Sequence, residues 1–258
     1  MLYNVIFVLV ALVIIFMVQR LSAKLSARRI LDNAKVINSS KLEYAEVDPA
    51  DLPWVDHTFI QKNTEKMAAD GFEHLVDYEN LTVAKQFPNM RIFSRVFTGD
   101  NGTIIGLIIH TKISGLVALL KPAQKNIKTI VLRTEFEDGT FLDTNNSAGL
   151  NMLNPFPGVT LNRMDPGTSF ETILSTHRAS LQDICSKQNK SPKRLLSKDA
   201  VMDLLDRIRE LNNEYRRKVG YIKREEFNNI SHVRKQVVDE FERLRDKEQD
   251  DTGDINVR

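Results

Sequence analysis

Residues 91–111 read RIFSRVFTGDNGTIIGLIIHT. From Arg91 to Phe97 polar and apolar residues alternate, Gly99 to Gly102 (GDNG) carries turn chemistry, and Thr103 to Thr111 returns as a β-branched run. That pattern predicts a β-hairpin. A second hairpin is predicted where Thr129 to Phe136 meets Thr140 to Thr144 through Asp138 and Gly139, because Asp-Gly suits a tight turn. Phe72 to Leu81 reads as a preceding strand and Val159 to Asn162 as a short last one. Hairpins of this kind imply an antiparallel sheet.

Helical signals surround the sheet. Upstream, Phe59, Ile60, Asn63, Met67 and Ala68 fall near one face, Asp56 can cap the helix, and Gly71 stands where a left-handed carboxyl-terminal residue belongs. Downstream, Asp165, Pro166 and Gly167 turn the chain into a helix that Thr168 or Ser169 can cap and that runs to about Lys187. After Ser191-Pro192 a long amphipathic region begins at Ser197, with Val201, Leu204, Leu205, Ile208, Leu211, Tyr215, Val219 and Ile222 at intervals of three and four. Gly220 kinks or divides it, and Ile230, Val233, Val237, Phe241 and Leu244 resume the stripe to about Lys247. Glu225, Glu226 and Asn229 break the heptad, so helices packed on the sheet or on each other are expected rather than an extended coiled coil.

At the amino terminus, Val5 to Val18 (VIFVLVALVIIFMV) is uninterrupted apolar sequence. Counted from Met1, a helix over these residues spans about 27 Å at roughly 1.5 Å per residue, close to the hydrocarbon thickness of about 30 Å. A buried core helix would show a polar face, and a cleaved signal peptide wants basic residues before the run; neither is present. Arg20, Lys24, Arg28, Arg29 and Lys35 all follow the run, which predicts an outside amino terminus and a cytoplasmic body. Arg20, Lys24, Arg28 and Arg29 are also the expected membrane-surface residues, able to hold anionic headgroups or to act only as a topology signal.

The fold expected is therefore α+β: an amino-terminal transmembrane helix, an antiparallel sheet packed by helices, and long amphipathic helices at the carboxyl end. Its divisions are residues 1–19 as anchor, 20–55 as juxtamembrane helix and connector, 56–190 as the α+β domain, 191–249 as a helical extension and 250–258 as a disordered tail. The connector contains Tyr44 and Trp54, and Trp54 is read as covering one edge of the sheet. Residues 115–120 (GLVALL) are too short for a second span and read as core, with a surface-seeking loop as the alternative.

The chain has 258 residues, 42% hydrophobic and 27% charged, enough for a sizeable core. Its 36 basic residues against 34 acidic ones leave a net charge of +2, which gives no ground for a nucleic-acid partner. Cys185 is the single cysteine, so neither an internal disulfide nor a polythiolate zinc site can form. An unpaired thiol suits a reducing compartment. Phosphate loops of the GxxxxGK[ST] kind, GxGxxG turns, HExxH pairs and GxSxG elbows are absent from the sequence. His57, His74, His110, His177 and His232 form no helical chelating pair, so neither metal nor cofactor is expected. Asp251-Thr252-Gly253 spells a protease tripeptide but lies in the polar tail, away from any rigid buried loop.

The remaining candidates for chemistry are Asp138, Asp143, Asn145, Asn146, Arg163, Asp165, His177 and Arg178. A hydrolase-like site would use His177 as general base with Arg178 and the hairpin carboxylates Asp138 and Asp143. The structural alternative makes the same residues turn formers and a hydrogen-bonded boundary histidine. Cys185, near the carboxyl end of its helix, is at the wrong end of the dipole for a reactive thiolate and reads as packing. The expected role is binding or scaffolding at the membrane, with residues 1–19 meeting the bilayer and residues 197–248 meeting a protein partner or a second copy. A membrane-tethered enzyme and a small-ligand or lipid sensor using residues 115–120 are the alternatives.

Overall fold

Alternation and turn chemistry produce the predicted strands almost residue for residue in the computed structural model, which describes residues 2–39, 43–115, 125–147, 153–229 and 233–253, with side chains in the first helix from Gln19 onward. The chain divides into two compact units: Ser40–Asn151 with Pro155–Leu211, and Met1–Ser39 with Met152–Asn154 and Asn212–Arg258.

The first unit is built on a seven-stranded sheet whose strands lie side by side in chain order. They are β1 (Tyr44–Glu46), β2 (Glu73–Asn80), β3 (Met90–Gly99), β4 (Ile104–Ile113), β5 (Asn126–Glu135), β6 (Phe141–Asn145) and β7 (Val159–Arg163). Every neighbouring pair is antiparallel except β6 and β7, which run parallel. The sheet is therefore mixed, a correction to the antiparallel expectation. Between Asn145 and Val159 the chain has room for a crossover of about a dozen residues, the length a parallel return needs.

Helix α1 (Leu2–Ser39) precedes the sheet, and α2 (His57–Ala69) starts where Asp56 Oδ1 accepts the Phe59 N–H at 2.9 Å. Gly71 follows α2 with φ +81°, the left-handed conformation expected of it. A short α3 (Leu81–Gln86), capped by Asn80, replaces the end of the strand predicted to reach Leu81. Helix α4 (Phe170–Gln188) is capped by Ser169, and α5 (Lys198–Lys218) runs from the sheet unit into the second unit.

Phe93, Phe97, Ile104, Ile108, Ile130 and Leu132 point to one face of the sheet, where Ile60 and Met67 of α2 and Phe170, Ile173 and Leu174 of α4 complete the main core. Trp54 packs at its margin against His110 of β4 and Arg91 of β3, strands in the middle of the sheet. The opposite pleat face carries buried Val76, Tyr78, Val96, Ile105 and Leu107. On this side α5 contributes buried Val201, Leu204, Leu205 and Ile208, and its Arg207 bonds Glu135 Oε2 at 2.6 Å. Burial on both faces explains why β4 is apolar at successive positions rather than alternating. Each fully buried Ile, Leu or Phe contributes roughly 1.5–3 kcal/mol, so these faces supply most of the cohesion.

The second unit is helical. The chain leaves α5 through Gly220 at φ +72°, passes a 3-10 turn (Arg224–Asn229) and enters α6 (Lys235–Gly253). Helix α6 thus runs on to Gly253, into residues 250–258 expected as the tail. Ala27, Leu31 and Ala34 of α1 pack with Val238, Phe241 and Leu244 of α6 and with Ile222 and Phe227. Beneath them Arg216 and Glu226, each 0% exposed, form a buried ion pair at 2.7 Å. The same carboxylate accepts the Asn154 N–H at 2.7 Å and the Lys223 N–H at 2.8 Å. Burial alone would push the Glu226 carboxyl up, but the guanidinium and the two N–H groups outweigh it and hold it below its usual range.

Among the described residues no helix is long and apolar enough to cross a membrane. The side chains of Val5 to Val18, on which the expectation of a span rests, lie outside the described residues, although the backbone there is the first half of α1. Residues 116–120 of the suggested sensor segment, Ile230, His232 and residues 254–258 also lie outside them.

Candidate functional site

His177 sits in the middle of α4 and is 0% exposed. Its Nε2 is 3.0 Å from Thr134 Oγ1 and its Nδ1 is 3.0 Å from Thr144 Oγ1. Thr134 donates its own proton to the Thr103 carbonyl at 2.9 Å, so towards the ring it accepts, which assigns the hydrogen to Nε2. Thr144 then donates to Nδ1 while accepting from Asn162 Nδ2 at 3.2 Å. Both nitrogens of a neutral ring are thereby engaged. Burial holds the imidazole down to about 4, against weaker upward pulls from Asp143 and Asp100.

The neighbours proposed for it turn elsewhere. Asp143 stands one residue before Thr144 on β6, so it occupies the opposite face of the sheet. There Arg133, its register partner on β5, grips it with two bonds of 2.6 and 2.5 Å. Arg178 forks onto Asp100 at 2.9 and 2.6 Å and lies 3.8 Å from Asp70. It thereby ties α4 to the β3–β4 turn, in which Asp100 and Asn101 have positive φ. Asp138 accepts the hydroxyl and N–H of Thr140 and meets Lys190 at 3.0 Å. The Thr140 hydroxyl first, then its N–H and Lys190, lower the Asp138 carboxyl to about 2. No arrangement of these groups places a carboxylate against His177.

The other candidates hold backbone. Asn145 Oδ1 accepts from the Ser147 N–H and hydroxyl at 3.2 and 2.5 Å. Asn146 accepts the Ile130 N–H at 2.7 Å and donates to the Pro166 carbonyl at 3.2 Å. Asp165 closes the turn before α4 through its carbonyl, which the Thr168 N–H reaches at 2.9 Å. Arg163 ends β7 and is partly buried. Cys185 is partly buried and packs against Phe136, Leu142 and Ile184. Among the described residues no group of three or more His, Cys, Asp or Glu side chains could hold a metal ion.

Sequence reasoning missed a charged ledge on the helix-covered face. Arg95 forks onto Asp77 at 2.8 and 2.6 Å and reaches Thr64 of α2, while Arg91 forks onto Glu79 at 2.6 and 2.7 Å. Arg91 also lies over Trp54, which stacks on the buried ring of His110. The signal was present as charge at the inward positions of β2 and β3, since Asp77 and Arg95 are register partners. These are saturated pairs that brace the sheet rather than open groups.

The exposed charge of functional interest lies on α1 and α6. Arg20, Lys24, Arg28 and Arg29 are all exposed, and of these Arg28 bonds Asp32 at 3.3 Å. Arg20 and Ala23 share a groove of about 300 Å³ with Gln236, Asp239, Glu240 and Arg243. Gln19, Ser22, Ser26 and Ile30 share another of about 280 Å³ with Val233, Arg234, Gln236 and Val237. Further along, Arg28 and Lys35 both reach Glu248. The residue numbers rise together on both helices, so α1 and α6 run parallel.

No family model, curated protein or solved structure matches the chain.

Proposed function

We propose that the chain is a single-pass, amino-terminally anchored membrane protein whose α+β unit faces the cytoplasm and acts in binding or scaffolding. The observation that carries this reading is the continuity of α1. Its backbone passes unbroken from Leu2 through the apolar run Val5 to Val18 and on to Ser39. Each Leu, Ile, Val or Phe at a helix centre contributes roughly −0.3 to −0.6 kcal/mol on insertion scales, so the run favours the bilayer by several kcal/mol. Exposed Arg20, Lys24, Arg28 and Arg29 follow at once, and cations so placed stay on the cytoplasmic side.

A binding role is supported by the pairing of the candidate catalytic groups of the sheet unit among themselves. His177 is closed between two threonines, and Arg133, Arg95, Arg91 and Arg178 are each forked onto a carboxylate. The α5 and α6 helices supply amphipathic surface for a protein partner or a second copy.

Reporter domains fused after Arg258 test the reading together with alkaline extraction of membranes. The expected result is a fusion active only in the cytoplasm and a chain that stays with the membrane pellet. Export of the reporter, or release of the chain by alkali, overturns it.

A further inference from the structure

Residues 1–31 and residues 227–238 contain no acidic residue. Some two hundred positions apart in the chain, they are brought side by side by the parallel packing of α1 on α6. Gln19, Ser22 and Ser26 lie across a groove from Val233, Arg234 and Gln236, so the amino-terminal end of α6 stands level with the first turns of α1 beyond Val18. Arg20, Lys24, Arg234 and Lys235 then form one exposed tier of cations. The first carboxylates of α6, Asp239 and Glu240, share a groove with Arg20, but each is already held by another arginine: Asp239 by Arg224 at 2.8 Å and Glu240 by Arg243 at 2.9 and 2.6 Å. On α1 the first is Asp32.

The same tier displays apolar groups outward. Leu21 and Leu25, one turn apart on α1, are 59% and 54% exposed. On the other side of α1, facing α6, a groove of about 280 Å³ is walled by Ala23, Ile30, Val233 and Val237 and rimmed by Arg234. At roughly 1.5 Å per residue Leu21 lies about 5 Å beyond Val18 and Leu25 about 10 Å, the depth of the headgroup layer that borders a hydrocarbon core of about 30 Å. Leucines that dip towards acyl chains between cations that meet phosphate are the composition of an interfacial helix surface. The positive end of the α6 dipole points the same way.

We infer that the amino-terminal end of α6 and the basic turns of α1 together seat anionic phospholipid headgroups, so that the chain meets the bilayer through Arg234 and Lys235 as well as through its first helix. The inference rests on the anchoring reading above. Phospholipid is the occupant because the tier pairs cations with exposed leucines and continues directly from the apolar run; a free phosphate would leave the leucines in water.

The full chain, carrying Cys185→Ser and Gln236→Cys with a polarity-sensitive fluorophore, is reconstituted into phosphatidylcholine vesicles with and without 30% phosphatidylglycerol. The expected result is co-flotation with both vesicles, but a blue-shifted label, quenched by headgroup-labelled lipid, only when phosphatidylglycerol is present. Arg234→Gln with Lys235→Gln removes two cations and should raise the phosphatidylglycerol content needed for half the shift by an order of magnitude or more, at about fivefold per cation. Half-molar salt should act in the same direction. A label that reports the same environment in both vesicles, while the chain floats with each, overturns the inference and leaves the anchor standing. So does a shift that survives the double substitution with α-helix content unchanged. A chain that floats with neither vesicle removes the anchoring reading itself.

Discussion

Lowering the pH should unfold the sheet unit partly through one buried histidine. His177 is held neutral between Thr134 and Thr144, and its folded value is lowered from 6.5 to about 4 by burial. At pH 8 neither state carries the proton, and the site adds no slope. As the pH falls below about 6.5 the unfolded chain binds a proton that the folded one refuses, so stability is lost between about 6.5 and about 4. At pH 5 the unfolded imidazole is almost fully charged and the folded one still about nine-tenths neutral, which costs about 2 kcal/mol of stability. Urea unfolding of the full chain in detergent, followed by Trp54, reads this directly because Trp54 packs against the same core. With a urea dependence of about 2 kcal/mol per molar, the site accounts for a fall of about 1 M in midpoint between pH 8 and pH 5. His177→Gln keeps an amide able to bond both threonines and cannot titrate, so its midpoint should fall by about 1 M less. Asp77, Asp56 and His110 titrate in both proteins and cancel from the comparison. Midpoints that move in parallel would refute the claim that a neutral, enclosed His177 supports the fold.

Other perturbations separate pairing from packing. Arg216→Met strands the Glu226 carboxylate with 0% exposure and should cost about 3–5 kcal/mol in the helical unit, whereas adding Glu226→Leu should recover part of that loss, as thermal unfolding by circular dichroism would show. Gly99→Ala places a Cβ 2.6 Å from the Phe72 ring, itself edge-on to Phe170, and should cost about 1–3 kcal/mol, with Phe72→Leu relieving the clash in a double-mutant cycle. Asp56→Ala removes the α2 cap and the Lys128 pair and should cost about 1 kcal/mol, while Asp56→Asn, which retains an acceptor for the Phe59 N–H, should lose less than half of that in the same urea titration.

The parts of this fold that were legible are those whose cause is local. The β3–β4 and β5–β6 hairpins follow from alternation plus a turn whose residues tolerate positive φ, as Asp100, Asn101 and Gly139 do. Caps at Asp56 and Ser169 were readable for the same reason: each oxygen meets an N–H three residues on. The parallel β7 was not readable, because its direction depends on where the crossover leads rather than on its own residues. Helix α3 was hidden by a strand that ends on its own capping residue, Asn80, and β1 is too short to show alternation. Trp54 was legible as a large apolar residue beside a strand-rich region, but Arg91 and His110 of the central strands β3 and β4, between which it lies, were not.

The chemistry was harder to read than the fold because strand parity and helix register act together on it. Sequence spacing put Asp143 and His177 in one neighbourhood, yet a single step along β6 decides which of Asp143 and Thr144 faces α4, and the threonine does. The histidine therefore receives a hydroxyl where catalysis would need a carboxylate, and the carboxylate receives Arg133 on the far face. The basic tier has the same origin on a larger scale. Arg20 and Lys24 read from the sequence alone as membrane-surface residues or a topology signal, and nothing in the sequence joins Arg234 and Lys235 to them. Only the direction in which α6 packs makes them neighbours: had it run antiparallel to α1, Glu242 and Glu248 would stand near Gln19 and the tier would be close to neutral. Parallel packing costs the chain a connection through the 3-10 turn at Arg224–Asn229 and a buried ion pair at Arg216 and Glu226 to hold the return. What that expense secures is an excess of positive charge at the end of the helix pair nearest the apolar run.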